Sequence, residues 1–323
     1  MQPSQVLFQG EALPRALPVC DHYAGTEVRM RKALALQAEL GPVFDITFDC
    51  EDGAPVGKEA EHAQLVAEIL LSSDNRFNRV GVRIHDPSHP CWKADVATLI
   101  KLAGKKIAFV MIPKVVSAAQ TQTIIDEINH VAKTANVGRV IPIQVLIETH
   151  GALHEVHAIA ALEQVESLSF GLMDFVSAHH GAIPGSAMDR AQFDHPLVAR
   201  AMLEISAACH AHGKVPSHNV CTNINDVTII ESDTLRAKNE FGFTRKWSIH
   251  PNQIPVIVKS LSPSPSEIEE ACSILLAAQA AQWGPIQHEG KLHDRASYRY
   301  FWTILQKAHL TGHAIPAKAE QLL

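Results

Sequence analysis

Between residues 17 and 261 a short apolar run is followed by an amphipathic segment eight times in succession. The apolar runs cover residues 17–21, 43–49, 79–84, 107–114, 141–147, 167–171, 214–217 and 245–250. Runs of this length, bounded by turn signals, read as buried strands. The segments between them carry apolar residues at helical spacing. Met30, Ala33, Leu34, Leu36 and Leu40 give such a face, and Gly41-Pro42 ends it. Helices are expected over residues 27–40, 58–71, 92–102, 118–137, 153–162, 197–212, one ending near 241, and 251–261. Strands alternating with helices imply parallel pairing through right-handed crossovers. Eight such units in roughly 250 residues match the (β/α)8 TIM barrel. An open doubly wound sheet is the alternative, and no Gly-rich GxGxxG turn follows the first strand to support it.

Two segments lie outside the eight units. Residues 1–14 show no period and are expected to form a loosely held N-terminal arm. After Ser262-Pro263-Ser264-Pro265 the chain starts again, with Ser266 as N-cap and Glu269 completing a capping box for a helix to about Trp283. A last helix is expected over residues 296–309. The expected organisation is therefore an arm (1–14), a barrel (15–261) and a C-terminal helical extension (262–323) that packs on the barrel or reaches a neighbouring subunit.

Composition narrows the function classes. The net charge is -6 and no Lys/Arg cluster stands out, which argues against nucleic acid as a partner. No apolar run has the length of a membrane span, and no basic region with a following apolar stretch opens the chain. A cytoplasmic enzyme is expected. The six cysteines are scattered without CxxC spacing, which suits free buried thiols better than disulfides or zinc ligands.

Barrel active sites collect where the strands end at their carboxyl side. Here those ends carry Asp49, Glu51 and Asp52, then Arg83, Lys114, Glu148, Asp174, His218-Asn219 and His250. A barrel with only a structural role needs no such concentration of charge. Glu148 and Asp174 occupy matching places on consecutive units. They are hard oxygen donors with no cysteine nearby, the donor set of Mg2+, which takes its remaining positions from water and substrate. Arg83 and Lys114 would serve a carboxylate substrate or a developing oxyanion, or pair with Glu51 and Asp52. The alternatives are that Glu148 caps the next helix or pairs with an arginine, the ligand reading being favoured by Asp174 in the matching place one unit on, and that Asp174 is an N-cap. His218 and His250 read as loop-holding residues, and Trp247 as core.

The sequence resembles the HpcH/HpaI aldolase and citrate lyase family, on the side of citrate lyase beta-subunit-like and malyl-CoA lyase-like proteins. The matching segments are residues 48–54 (FDCEDGA, like the family's acidic LDLEDAV turn), Val82-Arg83-Ile84, Ile112-Pro113-Lys114-Val115, Leu146-Ile147-Glu148-Thr149, residues 170–175 and residues 246–253. Residues 262–267 resemble the FTPSPEE segment, and 290–294 the GKMID segment. The resemblance implies a TIM barrel that binds Mg2+ through Glu148 and Asp174, with Arg83 stabilising an enolate oxygen. It implies a homotrimer, or a hexamer built from trimers, in which the extension covers a neighbour's site and Asp294 supplies an acid. The implied reaction is cleavage or formation of a 3-hydroxyacyl-CoA thioester such as malyl-, citramalyl- or citryl-CoA. Glu51 and Asp52 would join Arg83 and Asp294 in catalysis, and Lys114 would join Arg83 and Glu148 in binding substrate. Residues 17–25 depart from the family's R-S-x-L-x-x-P-G segment at Pro18 and Asp21-His22, on the side expected to take the thioester. Two other readings therefore stand beside the first: an Mg2+-dependent aldolase on free 2-oxo acids such as pyruvate or oxaloacetate, and a non-catalytic subunit of a larger lyase complex.

Overall fold

A computed structural model describes residues 3–11 and 13–323. Eight strands form a closed barrel: β1 (Cys20–Ala24), β2 (Asp45–Asp49), β3 (Val80–Arg83), β4 (Val110–Ile112), β5 (Ile143–Ile147), β6 (Val165–Phe170), β7 (Val215–His218) and β8 (Arg245–Ser248). Each pairs in parallel with the next, and β8 returns to β1. Parallel strands are covered on both faces, which is why they read as continuous apolar runs rather than alternating ones.

The helices in chain order are α1 (Pro3–Phe8), α2 (Glu27–Leu40), α3 (Glu59–Leu71), α4 (Trp92–Ala103), α5 (Ala118–Thr134), α6 (His150–His154), α7 (Val156–Ala160), α8 (Leu172–Ser177), α9 (Pro196–Ala211), α10 (Val227–Phe241), α11 (Gln253–Leu261), α12 (Pro265–Ala280), α13 (Arg295–Leu310) and α14 (Ala317–Glu320). The single helix expected over 153–162 is two short ones. The chain breaks at Glu155, whose carboxylate turns away to accept a hydrogen bond from Ala118 N at 2.8 Å, at the start of α5.

The barrel interior is layered. Near the amino ends of the strands, Arg245 is fully buried between Asp21 (3.2 Å) and Asp45 (2.7 Å). Burying an ion pair is worthwhile only when the geometry is good, and losing one partner leaves an uncompensated charge. Above it Phe109, Met111, Leu146 and Trp247 pack together, with Tyr23 against them. Trp247 is core, as its sequence context suggests.

A second apolar cluster lies among the extension helices and the amino terminus. It gathers Leu7 and Phe8 with Leu275, Tyr298, Trp302, Leu305 and Leu322. The segment expected to be a loose arm carries α1, held by the Phe8–Trp302 ring contact (5.4 Å between centroids) and by Arg299 Nε donating to Leu7 O at 2.9 Å. A six-residue helix has too few internal hydrogen bonds to form alone. Tertiary contacts supply what the local sequence lacks. The N-cap of α12 is Ser264, not Ser266: Ser264 Oγ accepts from Glu267 N, and Glu267 answers to Ser264 N at 2.7 Å. Pro265, with its fixed φ, then takes the first helical position. Between α12 and α13 the strands β9 (Ile286–His288) and β10 (Lys291–His293) form an antiparallel hairpin that the sequence reading did not foresee. No helix among the described residues is long and apolar enough to cross a membrane.

Candidate active site at the carboxyl rim of the barrel

Strand register assembles the rim. Asp49 and Arg83 are Cα partners at the ends of β2 and β3. Arg83 Nε donates to Asp49 Oδ1 at 2.6 Å and Nη2 to Asp49 Oδ2 at 3.0 Å, a bidentate pair. Arg83 Nη1 lies 2.9 Å from Glu51 Oε2. On the far side of Glu51, Oε1 is 2.6 Å from Lys114 Nζ, which also reaches Asp52 (3.0 Å) and Asp174 (3.8 Å). The two cations are thus paired with the rim's own carboxylates rather than facing open space.

Glu148 and Asp174 are held by different devices. Ile147 pairs with Phe170 across β5 and β6, so Glu148 and Gly171 leave the sheet side by side. A Cβ on residue 171 would come within 2.2 Å of Glu148 Oε2; only glycine leaves this cradle open. Glu148 Oε1 accepts from Lys114 N at 2.7 Å. The capping alternative for Glu148 is excluded, because Thr149 caps α6 by accepting from Ala152 N. Asp174 is likewise no N-cap. It stands in the first turn of α8, whose N-cap is Gly171, and its carboxylate is half-exposed.

Electrostatics follow from burial and crowding. Burial, and after it the Asp174 negative charge, push the Glu148 carboxyl up to about 8. Burial alone would also raise Asp49, but the Arg83 guanidinium against it holds it below the usual carboxylate range. Glu51 is pushed up, by burial first. For Lys114 burial acts downward, and its bonds to Glu51 and Asp52 override it and hold its pKa high. Two cations, Arg83 and Lys114, therefore share a rim with the carboxyl groups of Asp49, Glu51, Asp52, Glu148 and Asp174.

A divalent cation suits this arrangement. A buried carboxyl with a raised pKa beside a second carboxylate is a place where positive charge is missing, and both donors are hard oxygens. Among the described residues no three His, Cys, Asp or Glu side chains gather as a metal cluster. Glu148 and Asp174 could offer a sparse pair of hard oxygen donors that leaves coordination positions to water and ligand, which is the habit of Mg2+.

Of the residues singled out from the sequence, Arg83, Glu51, Asp52, Lys114, Glu148 and Asp174 come together here. Asp294 does not join them within one chain. It is exposed and caps α13, accepting from Ala296 N at 3.0 Å. His218 is wholly buried outside the barrel wall, where Nδ1 meets Lys246 Nζ at 2.8 Å. Tyr23 was missed. Its hydroxyl accepts from Arg83 Nη2 at 2.7 Å and donates to Asp49 Oδ2. A tyrosine within Cys20-Asp21-His22-Tyr23 gave no sign of facing the same space as Arg83, 60 residues on.

The HpcH/HpaI aldolase/citrate lyase family model matches residues 33–251. The chain is 25% identical over 280 residues to the L-malyl-CoA/beta-methylmalyl-CoA lyase of Cereibacter sphaeroides, covering 82% of this chain and 87% of that one. It is 26% identical over 270 residues to the citrate lyase subunit beta of Leuconostoc mesenteroides, covering 81% and 85%. Among solved structures, a citrate lyase from Burkholderia xenovorans is 54% identical, with a TM-score of 0.86 over 100% of this chain and 99% of that one. The CitE protein of Mycobacterium tuberculosis, solved with magnesium, acetoacetate and coenzyme A, shares the fold at 22% identity, with a TM-score of 0.66 over 92% and 100%. The chain belongs to the HpcH/HpaI aldolase/citrate lyase family and is a carbon–carbon lyase of that family.

Proposed function

We propose that the chain is an Mg2+-dependent lyase that cleaves or forms a 3-hydroxyacyl-CoA thioester of the malyl-, citramalyl- or citryl-CoA class. One observation carries the reading: buried Glu148, its Oε2 in the Gly171 cradle, sits on the same rim as Asp174 and an arginine fixed bidentately on Asp49. The names of the relatives point the same way, since they act on CoA thioesters or belong to citrate lyase.

Glu148 and Asp174 hold the metal. Bound there, Mg2+ would polarise the carbonyl of a 2-oxo acid as a Lewis acid. Asp49 and Glu51 orient Arg83, and Glu51 and Asp52 hold Lys114. Arg83 offers the Nη1 edge to the thioester enolate oxygen that carbon–carbon cleavage leaves behind, a charge present only on the reaction path. Lys114 lies between Glu51 and Asp174, where it meets the carboxylate of the 2-oxo acid. Asp294, reaching the site from a neighbouring copy in a homotrimer or hexamer, supplies the acid.

A binding screen with Mg2+ present tests the reading, using CoA, acetyl-CoA, glyoxylate, pyruvate and oxaloacetate. Binding of acetyl-CoA together with a 2-oxo acid is expected. A 2-oxo acid that binds while every CoA compound fails would turn the assignment to an aldolase on free 2-oxo acids.

A further inference from the structure

We propose that Tyr23 is a positioning residue for Arg83, fixing the guanidinium so that its Nη1 edge remains for substrate. The inference rests on the role given to Arg83 above. A guanidinium has five N–H groups and stays charged at any working pH. Nε and one Nη2 N–H go to Asp49 and the other Nη2 N–H to the Tyr23 oxygen, while Nη1 lies 2.9 Å from Glu51 Oε2 as an ion pair with no N–H aligned on it. The Nη1 edge is left without a hydrogen-bond acceptor in the chain.

The direction of each bond follows. Arg83 has only protons to give, so the Tyr23 oxygen accepts from it and the lone Tyr23 proton goes to Asp49 Oδ2. Asp49 is then saturated: Oδ1 takes Arg83 Nε and Glu51 N (3.0 Å), while Oδ2 takes Arg83 Nη2, Tyr23 and Gly53 N (2.6 Å). The hydroxyl closes a ring of three groups, and neither of the other two can rotate without breaking it.

The Tyr23 ring is itself fixed. It stacks on Trp247 with centroids 5.9 Å apart at 21°, and the Arg83 guanidinium carbon lies 5.0 Å from its centroid. A Cβ on residue 53 would fall 2.2 Å from the Tyr23 hydroxyl, so the acidic turn after β2 approaches it as closely as glycine permits. The alternative is that Tyr23 only fills the barrel mouth. That alternative is served by the ring and gives the hydroxyl no task.

Tyr23→Phe keeps the ring and removes the hydroxyl. With Mg2+, acetyl-CoA and the best 2-oxo acid, kcat is expected to fall on the order of a hundredfold, the scale set by displacing a catalytic group by about 1 Å. The KM for the 2-oxo acid and the Mg2+ affinity should stay within about twofold, because the metal ligands are untouched. On an Arg83→Lys background Tyr23→Phe should add nothing, since residues acting as a unit are not additive. An unchanged kcat, or losses that multiply, would overturn the proposal. Should the wild-type protein turn over no thioester, the function reading falls on its own. Tyr23 is then judged by Nε–H exchange of Arg83 in arginine-labelled protein, where Tyr23→Phe should exchange about tenfold faster and an unchanged rate overturns the assignment.

Discussion

Loading the metal should release a proton, and that release can be worked out from Glu148. In the metal-free protein its carboxyl is raised to about 8, by burial and then by Asp174. At pH 7 it is therefore mostly protonated, and Mg2+ must displace that proton to bind. A one-unit gap between pKa and pH costs about 1.4 kcal/mol, or tenfold in affinity. Affinity should thus rise about tenfold per pH unit between roughly pH 6 and 8 and level off above. Titration calorimetry of Mg2+ at pH 7, in two buffers of different ionisation enthalpy, should show close to one proton released per metal bound. The linkage to stability has a definite sign. A carboxyl whose folded pKa is raised binds a proton that the unfolded chain has already lost, so metal-free stability falls as pH rises from about 4.5 to 8. Mg2+ should restore stability most at the alkaline end of that window. Binding without proton release, at an affinity flat from pH 6 to 8, would refute the assignment of Glu148 as a buried ligand.

Other outcomes follow from the same geometry. Gly171→Ala should lower the thermal midpoint and weaken Mg2+ on the order of tenfold, since the added Cβ would lie 2.2 Å from Glu148 Oε2 and 2.5 Å from Glu148 Cβ; thermal denaturation and calorimetry measure the two effects. Arg83→Ala should lose turnover while Mg2+ affinity is kept, which kinetics and calorimetry on one preparation separate. Arg245→Ala, far from the rim, should cost about 3–5 kcal/mol in urea denaturation by leaving Asp21 and Asp45 buried against each other. Asp294→Ala should cost about 1 kcal/mol as a lost N-cap. Turnover assayed well below that lowered thermal midpoint should be lost if Asp294 acts in a neighbour's site, and an unaffected rate removes it from the site.

What could be read from the chain, and what could not, divides along physical lines. Eight apolar runs ending in charge identify a parallel barrel and its working rim, because burial on both faces and position at a strand end leave marks in composition. Register leaves none. That Asp49 lies opposite Arg83, and Ile147 opposite Phe170, depends on the whole closed sheet. Tyr23 was invisible for that reason, as was the extent to which Arg83 and Lys114 are occupied by neighbours. The hairpin of β9 and β10 escaped because each strand has only three residues and the turn is Glu289-Gly290, both at positive φ, rather than the stronger Asn-Gly signal. The helix α1 was missed because what holds it, Trp302 and Arg299, lies almost 300 residues away.

The account turns on one reaction. Acetyl-CoA with glyoxylate, pyruvate or oxaloacetate should give a 3-hydroxyacyl-CoA thioester, detectable by mass, and the same thioester should be cleaved in reverse. Both directions should stop in excess chelator and in Glu148→Ala. Turnover that is indifferent to chelator, or carbon–carbon cleavage confined to free 2-oxo acids, would contradict it.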